Sequence, residues 1–202
     1  MSPALILDVI ARPGSDEEFP DWRPVHRFIV EHASCRDLIE ALASADSADQ
    51  RRLICYAIHR RRRPCRTAVP HVLPLLEDAD HRVREEAVNL LGGIMFSPPK
   101  SPPKLAAQVG KAMLDYLAGH PGDSHYLTLT GLGATRWPPA FETLRNLLHD
   151  PNEMLRRAGA RGLLNFGSPG ALPDLREARK VESSPSTLRE IEIAIATLEQ
   201  KA

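Results

Sequence analysis

A chain of 202 residues, 43% hydrophobic and 26% charged, is long enough to bury the core of one globular domain. Its 26 Lys+Arg balance 26 Asp+Glu, which excludes a global field for nucleic acid or an anionic membrane and leaves only local basic patches. Nothing approaches 18 consecutive apolar residues, and the short apolar run Leu5–Ile10 has no positive charge before it. Neither a membrane span nor a secretory leader is therefore expected, and the expected location is the cytoplasm.

In chain order, PALILDVIA and WRPVHRFIVEHA (within residues 1–33) read as a divergent capping hairpin, with Trp22 filling the open end of the core. Cys35–Arg60 follows as a first helical hairpin. It ends on HRRRRPCR, His59–Arg66, where cations complement a helix C-terminus and Pro64 stops the helix. The same Arg60, Arg61, Arg62, Arg63 and Arg66 are the candidate anion-binding residues. Cys35, Cys55 and Cys65 are odd in number with no Cys-x-x-Cys spacing, so reduced, buried thiols are expected.

Ala68–Ile94 is the clearest hairpin. Val69, Val72, Leu73, Leu75 and Leu76 share one side of a first helix, Asp78–Asp80 breaks it, and Val83, Ala87, Val88, Leu90 and Leu91 return at helical spacing. Gly92 and Gly93 are placed to end that second helix. SPPKSPPK, residues 97–104, reads as an extended polyproline linker. Lys104–Ala134 supplies a long helix and then SHYLTLTGLGA, Ala140–Gly167 repeats the grammar of the clear hairpin, and Gly170–Lys201 provides a last pair of helices.

The repetition is one of register. Leu147–Leu148, Asp150, Leu155–Arg156 and Leu163 match Leu75–Leu76, Asp78, Val83–Arg84 and Leu91 at one constant offset. Leu42, Arg51, Ile54 and Ile58 match more weakly. The pattern Pro-x-x-x-x-Leu-Leu-x-Asp-x-x-x-x-Val-Arg-x-x-Ala-x-x-x-Leu-Gly, nearly whole from Pro70 to Gly92, resembles the HEAT-repeat family, including bacterial HEAT-like repeats of the phycobilisome-lyase type. That resemblance implies an all-α, right-handed α-solenoid of about five hairpins plus the N-terminal cap, in a single armadillo-like domain over 1–202. A lone hairpin cannot bury both sides of its apolar stripe, so neighbours must stack. By resemblance, Asp78, Arg84, Asp150 and Arg156 are assigned structural pairing within or between hairpins.

In the HEAT arrangement the second helix of each hairpin lines the concave face. Register with Glu85 and Asn89 selects Arg52 and Tyr56, Tyr126 and Thr130, Arg157 and Arg161, and Glu190 and Ala194 as outward positions. Tyr and Arg are enriched at protein-binding hot spots, so Arg52, Tyr56, Glu85, Asn89, Tyr126, Thr130, Arg157, Arg161 and Glu190 form a candidate partner-binding row. Solvated surface is the plainer reading of the same positions.

Enzyme readings find little support in the residues. The eight histidines include no i, i+4 pair and no His-Glu dipeptide, the feature carried by di-iron hydroxylases built on HEAT-like repeats. No Gly-rich phosphate loop is visible, because Gly92-Gly93 and Gly131-x-Gly133 read as helix ends. Ser124, Ser168 and Cys65 lack a base partner. One bacterial family of alkylpurine DNA glycosylases is a HEAT-like solenoid, but its catalytic residues map to no positions here. The expectation is a non-enzymatic bacterial scaffold that binds a protein, without cofactor or metal; the alternative is a nucleic-acid-binding solenoid related to those glycosylases.

Overall fold

The structure, a computed structural model, describes residues 1–11, 29–98, 100–121, 123 and 125–201. Among these every regular element is helical. The proposed capping role of Trp22 lies outside the described residues. Two compact bodies divide the chain, Met1–Ile94 and Met95–Ala202.

In the first body α1 (Pro3–Ala11) is tied to α2 (Cys35–Ala43) by the Met1 ammonium, 3.1 Å from Asp37 Oδ2. Two reciprocal caps start the hairpin that follows. Ser34 and Asp37 cap α2, and Ser47 and Gln50 cap α3 (Ala48–His59), each satisfying N–H groups that have no partner within the helix. Leu38, Ala41 and Leu42 of α2 and Ile54, Ala57 and Ile58 of α3 are buried in its core. The helix α3 ends at His59, well before Pro64, so the arginines lie in a loop instead of a last turn.

That loop is held from two sides. The Arg61 guanidinium donates to the Ala33 carbonyl, and Cys65 is joined to Cys35 in a disulfide with Cα atoms 6.0 Å apart. The expectation of reduced thiols is therefore corrected for this pair. It failed because sequence spacing does not reveal that the loop doubles back onto the start of α2. A cross-link over a 30-residue separation stabilises by about 4 kcal/mol through the unfolded chain. Cys55 stays a free thiol inside the hairpin core, where burial pushes its pKa up.

The first helix of the clearest repeat is broken. Prolines at 70 and 74 lack the N–H that a continuous helix needs. The segment becomes 3₁₀ at Arg66–Ala68, α4 at Val69–Val72 and 3₁₀ again at Leu73–Glu77. The following helix α5 (His81–Phe96) runs through Gly92 and Gly93 instead of ending there. Gly93 packs against the His59 imidazole: a Cβ on it would stand 2.7 Å from Nε2, so an added methyl would displace that ring.

The second body begins at Met95, in the last turn of α5, and continues into the proline-rich stretch. Its extended part is shorter than expected, because α6 (Pro103–Gly119) starts on Pro103, where a missing N–H is tolerated in a first turn. There follow α7 (His125–Thr135), α8 (Pro138–Asn146) with a 3₁₀ end at Leu147–His149, and α9 (Glu153–Phe166). A 3₁₀ turn at Pro169–Ala171, then α10 (Leu172–Val181) and α11 (Pro185–Glu199), complete it.

Gly131 and Gly133, read above as helix ends, lie buried inside α7. Gly133 allows α7 and α9 to cross backbone against backbone. A Cβ at Gly133 would lie 2.0 Å from the Gly162 carbonyl oxygen, and one at Gly162 would lie 2.4 Å from Leu144 Cδ2. Backbone cannot yield as a side-chain tip can. Gly133→Ala is therefore expected to destabilise by about 3 kcal/mol, at the upper end of ordinary overpacking. Urea unfolding checks this, and an unchanged midpoint would refute the close crossing.

Candidate binding surfaces on the second helices

The residues that define the repeat are occupied by structure. Arg84 Nη1 donates to the carbonyls of Asp78 (2.8 Å) and Ala79 (3.2 Å), and Arg156 Nη1 donates to those of Asp150 (2.9 Å) and Pro151 (3.0 Å). Each arginine thus ties its own helix to its own turn. The carboxylates take the between-hairpin form of the expected Asp–Arg pairing at Asp78 and not at Asp150. Asp78 is gripped by Arg51 of the preceding hairpin, with Nε–Oδ2 at 2.7 Å. Arg156 reaches forward to Glu182 of the following hairpin through two bonds of 2.8 and 3.0 Å. Asp150 Oδ1 accepts from the Asn152 N–H, as Asp78 Oδ1 accepts from Asp80.

These pairs set the charge states. Burial raises the Asp78 carboxyl, but the Arg51 guanidinium and the Asp80 N–H outweigh it and hold it below the ordinary carboxylate value. Glu182 is lowered chiefly by Arg156, against its burial. Asp80, bonded to Arg82, is lowered as well.

The outward row is a different population. In the first body Tyr56 is exposed, with the Arg60 guanidinium 5.8 Å from its ring centroid. Arg52 is half-buried and weakly paired with Asp49 at 3.9 Å. Glu85 and Asn89 are half-buried. Of the basic loop, Arg61 is consumed by the Ala33 carbonyl, while Arg62 and Arg63 are exposed without a partner among the described residues. Arg66 is half-buried.

In the second body Arg157 of α9 stacks over Tyr126 of α7, 5.4 Å from the centroid. Beside that pair Phe96, Tyr126, Thr130, Arg161 and Asn165 line an open depression of about 390 Å³. Thr130 is fixed from both sides: its hydroxyl donates to Leu127 O, and its carbonyl accepts from Asn165 Nδ2 at 3.0 Å. Phe96 is 54% and Met154 56% exposed, adding apolar surface. Phe96 and Asn165 were not singled out in the sequence. Phe96 was missed because α5 was expected to stop three residues earlier, at Gly93, and Asn165 because its partner is 35 positions away.

One expectation is corrected outright. Glu190 is buried, and Arg161 Nε lies 3.1 Å from its Oε2, so it supports the row from beneath. Ala194 is buried too. The N-caps of α9 and α11 are Asn152 and Ser184, so the true offset is one residue shorter than the offset used above. On α11 that shift puts Arg189 and Ile193 outside. At 3.6 residues per turn a single-residue slip rotates a side chain by about 100°.

A family model of HEAT repeats matches residues 36–120 and again 113–196. The chain belongs to the HEAT-repeat family. Among solved structures it is similar to human deoxyhypusine hydroxylase in complex with glycerol, at 16% identity and a TM-score of 0.36, covering 98% of this chain and 96% of that one. No curated protein sequence matches. Among the described residues no group of three or more His, Cys, Asp or Glu could hold a metal ion, and no helix is long and apolar enough to cross a membrane.

The lowered carboxyls fix a pH dependence. A carboxyl whose folded pKa lies below its unfolded value stabilises the fold above the unfolded pKa, and that contribution is lost as pH falls through the folded one. Thermal stability is therefore expected to fall on acidification below about pH 4, the ordinary carboxyl range. Glu182→Gln should lose stability at neutral pH and show a flatter acid limb. An equal acid slope in wild type and variant would refute the assignment.

Proposed function

We propose that this HEAT-repeat protein is a non-enzymatic scaffold, and that the second-helix face of residues 95–202 binds a protein partner. The observation that carries this reading is the Arg157–Tyr126 stack beside the depression lined by Phe96, Thr130, Arg161 and Asn165. A tyrosine held by a guanidinium loses little rotamer freedom on binding, and flanking apolar groups exclude water around it. The defining arginine of the repeat, Arg156, is spent on internal bonds and is left out of the surface. HEAT repeats commonly mediate protein interactions, which supports the same choice.

The test is affinity capture from a lysate of the source organism with wild type and with Tyr126→Ala/Arg157→Glu. Arg161 is left unchanged, because reversing it would strand buried Glu190. Specific partners should bind the variant about 30-fold more weakly at unchanged thermal stability, the loss of about 2 kcal/mol typical of a hot spot. An identical partner set from both proteins would remove the proposal.

A second reading rests on Arg62 and Arg63, two exposed guanidiniums on a loop that is pinned by the disulfide and by Arg61. Such a loop suits phosphate contacts. If it binds duplex DNA, Arg62→Ala/Arg63→Ala should reduce the slope of log affinity against log salt by about 2. No binding of the wild type at low salt ends this reading.

A further inference from the structure

Within residues 95–202 a cavity of about 560 Å³ opens between the start of α6 and the junction of α7 and α8. Its volume is in the range that takes a small organic molecule. Phe96, Ala106 and Trp137 give it apolar walls, Lys100 and Arg136 bring two cationic groups, and no Asp or Glu lines it. Neither cation has a hydrogen-bonded or ion-paired side-chain partner among the described residues.

Arg136 is in an unusual place. It is the one non-glycine at positive φ among the described residues, at 54°. It ends α7 as Gly167, at φ 75°, ends α9. A left-handed position is occupied without strain by glycine, whereas an L side chain costs about 1 kcal/mol there. The surrounding bonds hold the strained backbone in place. The Arg136 N–H donates to the Gly133 carbonyl at 3.1 Å, the Thr135 hydroxyl to the Leu132 carbonyl at 2.7 Å, and the Trp137 N–H to the Thr135 hydroxyl at 3.2 Å. The Trp137 ring is equally fixed: a Cβ on Gly110 would meet its Cε3 at 2.6 Å, so the indole lies directly on α6. A rigid aromatic wall next to an arginine on a strained, bonded backbone is the arrangement expected of a ligand clamp.

We propose that this cavity binds a small ring-bearing carboxylate, its flat apolar body against Trp137 and Ala106 and its carboxylate on Arg136, with Lys100 closing the anionic end. The absence of acidic lining excludes a cationic ligand, and planar bidentate recognition favours a carboxylate on arginine. This site does not depend on the partner-binding reading.

The probe is 2-naphthoate, with uncharged 2-naphthalenemethanol as its isostere. Binding is followed by tryptophan fluorescence in a Trp22→Phe background and by thermal shift. Wild type should bind 2-naphthoate with submillimolar affinity and the alcohol at least tenfold more weakly, since a hydrogen bond to a charged group supplies that much. Arg136→Gly should lose at least tenfold in affinity while keeping or raising the melting temperature, because glycine relieves the strained φ. Lys100→Ala should lose less. Equal binding of acid and alcohol, no binding of either, or undiminished binding to Arg136→Gly would overturn the proposal.

Discussion

An arginine near the start of the second helix is the constraint on which the two regular hairpins depend. Its carbonyl bonds close the turn it follows, as Arg84 does over Asp78 and Ala79 and Arg156 over Asp150 and Pro151. The remaining nitrogens of Arg156 reach the next turn, at Glu182. In the first hairpin Arg51 makes the same forward step to Asp78. Guanidinium is suited to this because its fixed fork of five donors can serve two planes at once. Where these bonds occur, charge-assisted contacts at the turns fix the register of neighbouring hairpins together with the apolar packing between their helices.

Glycine sets the spacing that those bonds presuppose. Gly133 against Gly162 brings α7 and α9 closer than a methyl group would allow, and Gly93 lies against the His59 imidazole. Close approach narrows the buried seam and leaves the long side chains of α7 and α9 to meet above it. The Arg157–Tyr126 stack is a product of that geometry, since its two residues come from different helices. Surface recognition chemistry and core packing are thus coupled through the same pair of helices.

Among the described residues, backbone strain and cross-linking sit at helix ends. Arg136 holds a left-handed conformation at the end of α7, and the loop after α3 is fastened by Cys35–Cys65 and by Arg61. Both features present cations on fixed backbone, Arg136 beside an aromatic wall and Arg62 with Arg63 on an open loop. Fixed backbone reduces the entropy lost when an anion binds. The neutral overall charge conceals these local concentrations.

The helical repeat and its register over residues 68–94 and 140–167 were legible in the chain, because apolar spacing and the Asp/Arg pair are local patterns. Tyr126, Arg157 and Arg161 were legible as surface positions for the same reason. What sequence could not place were contacts made across hairpins: the Asp78 carboxylate going to Arg51, Cys65 meeting Cys35, and glycines serving close crossings instead of helix ends. The burial of Glu190 turned on a single residue of offset, which spacing between weak repeats does not resolve but an N-cap at Ser184 does. Sequence by itself determined that the chain is a run of helical hairpins and where the two regular ones lie, since both follow from the period of the backbone. Tertiary structure alone decided which polar groups are consumed by neighbours and which remain for a ligand, because that depends on pairs distant along the chain.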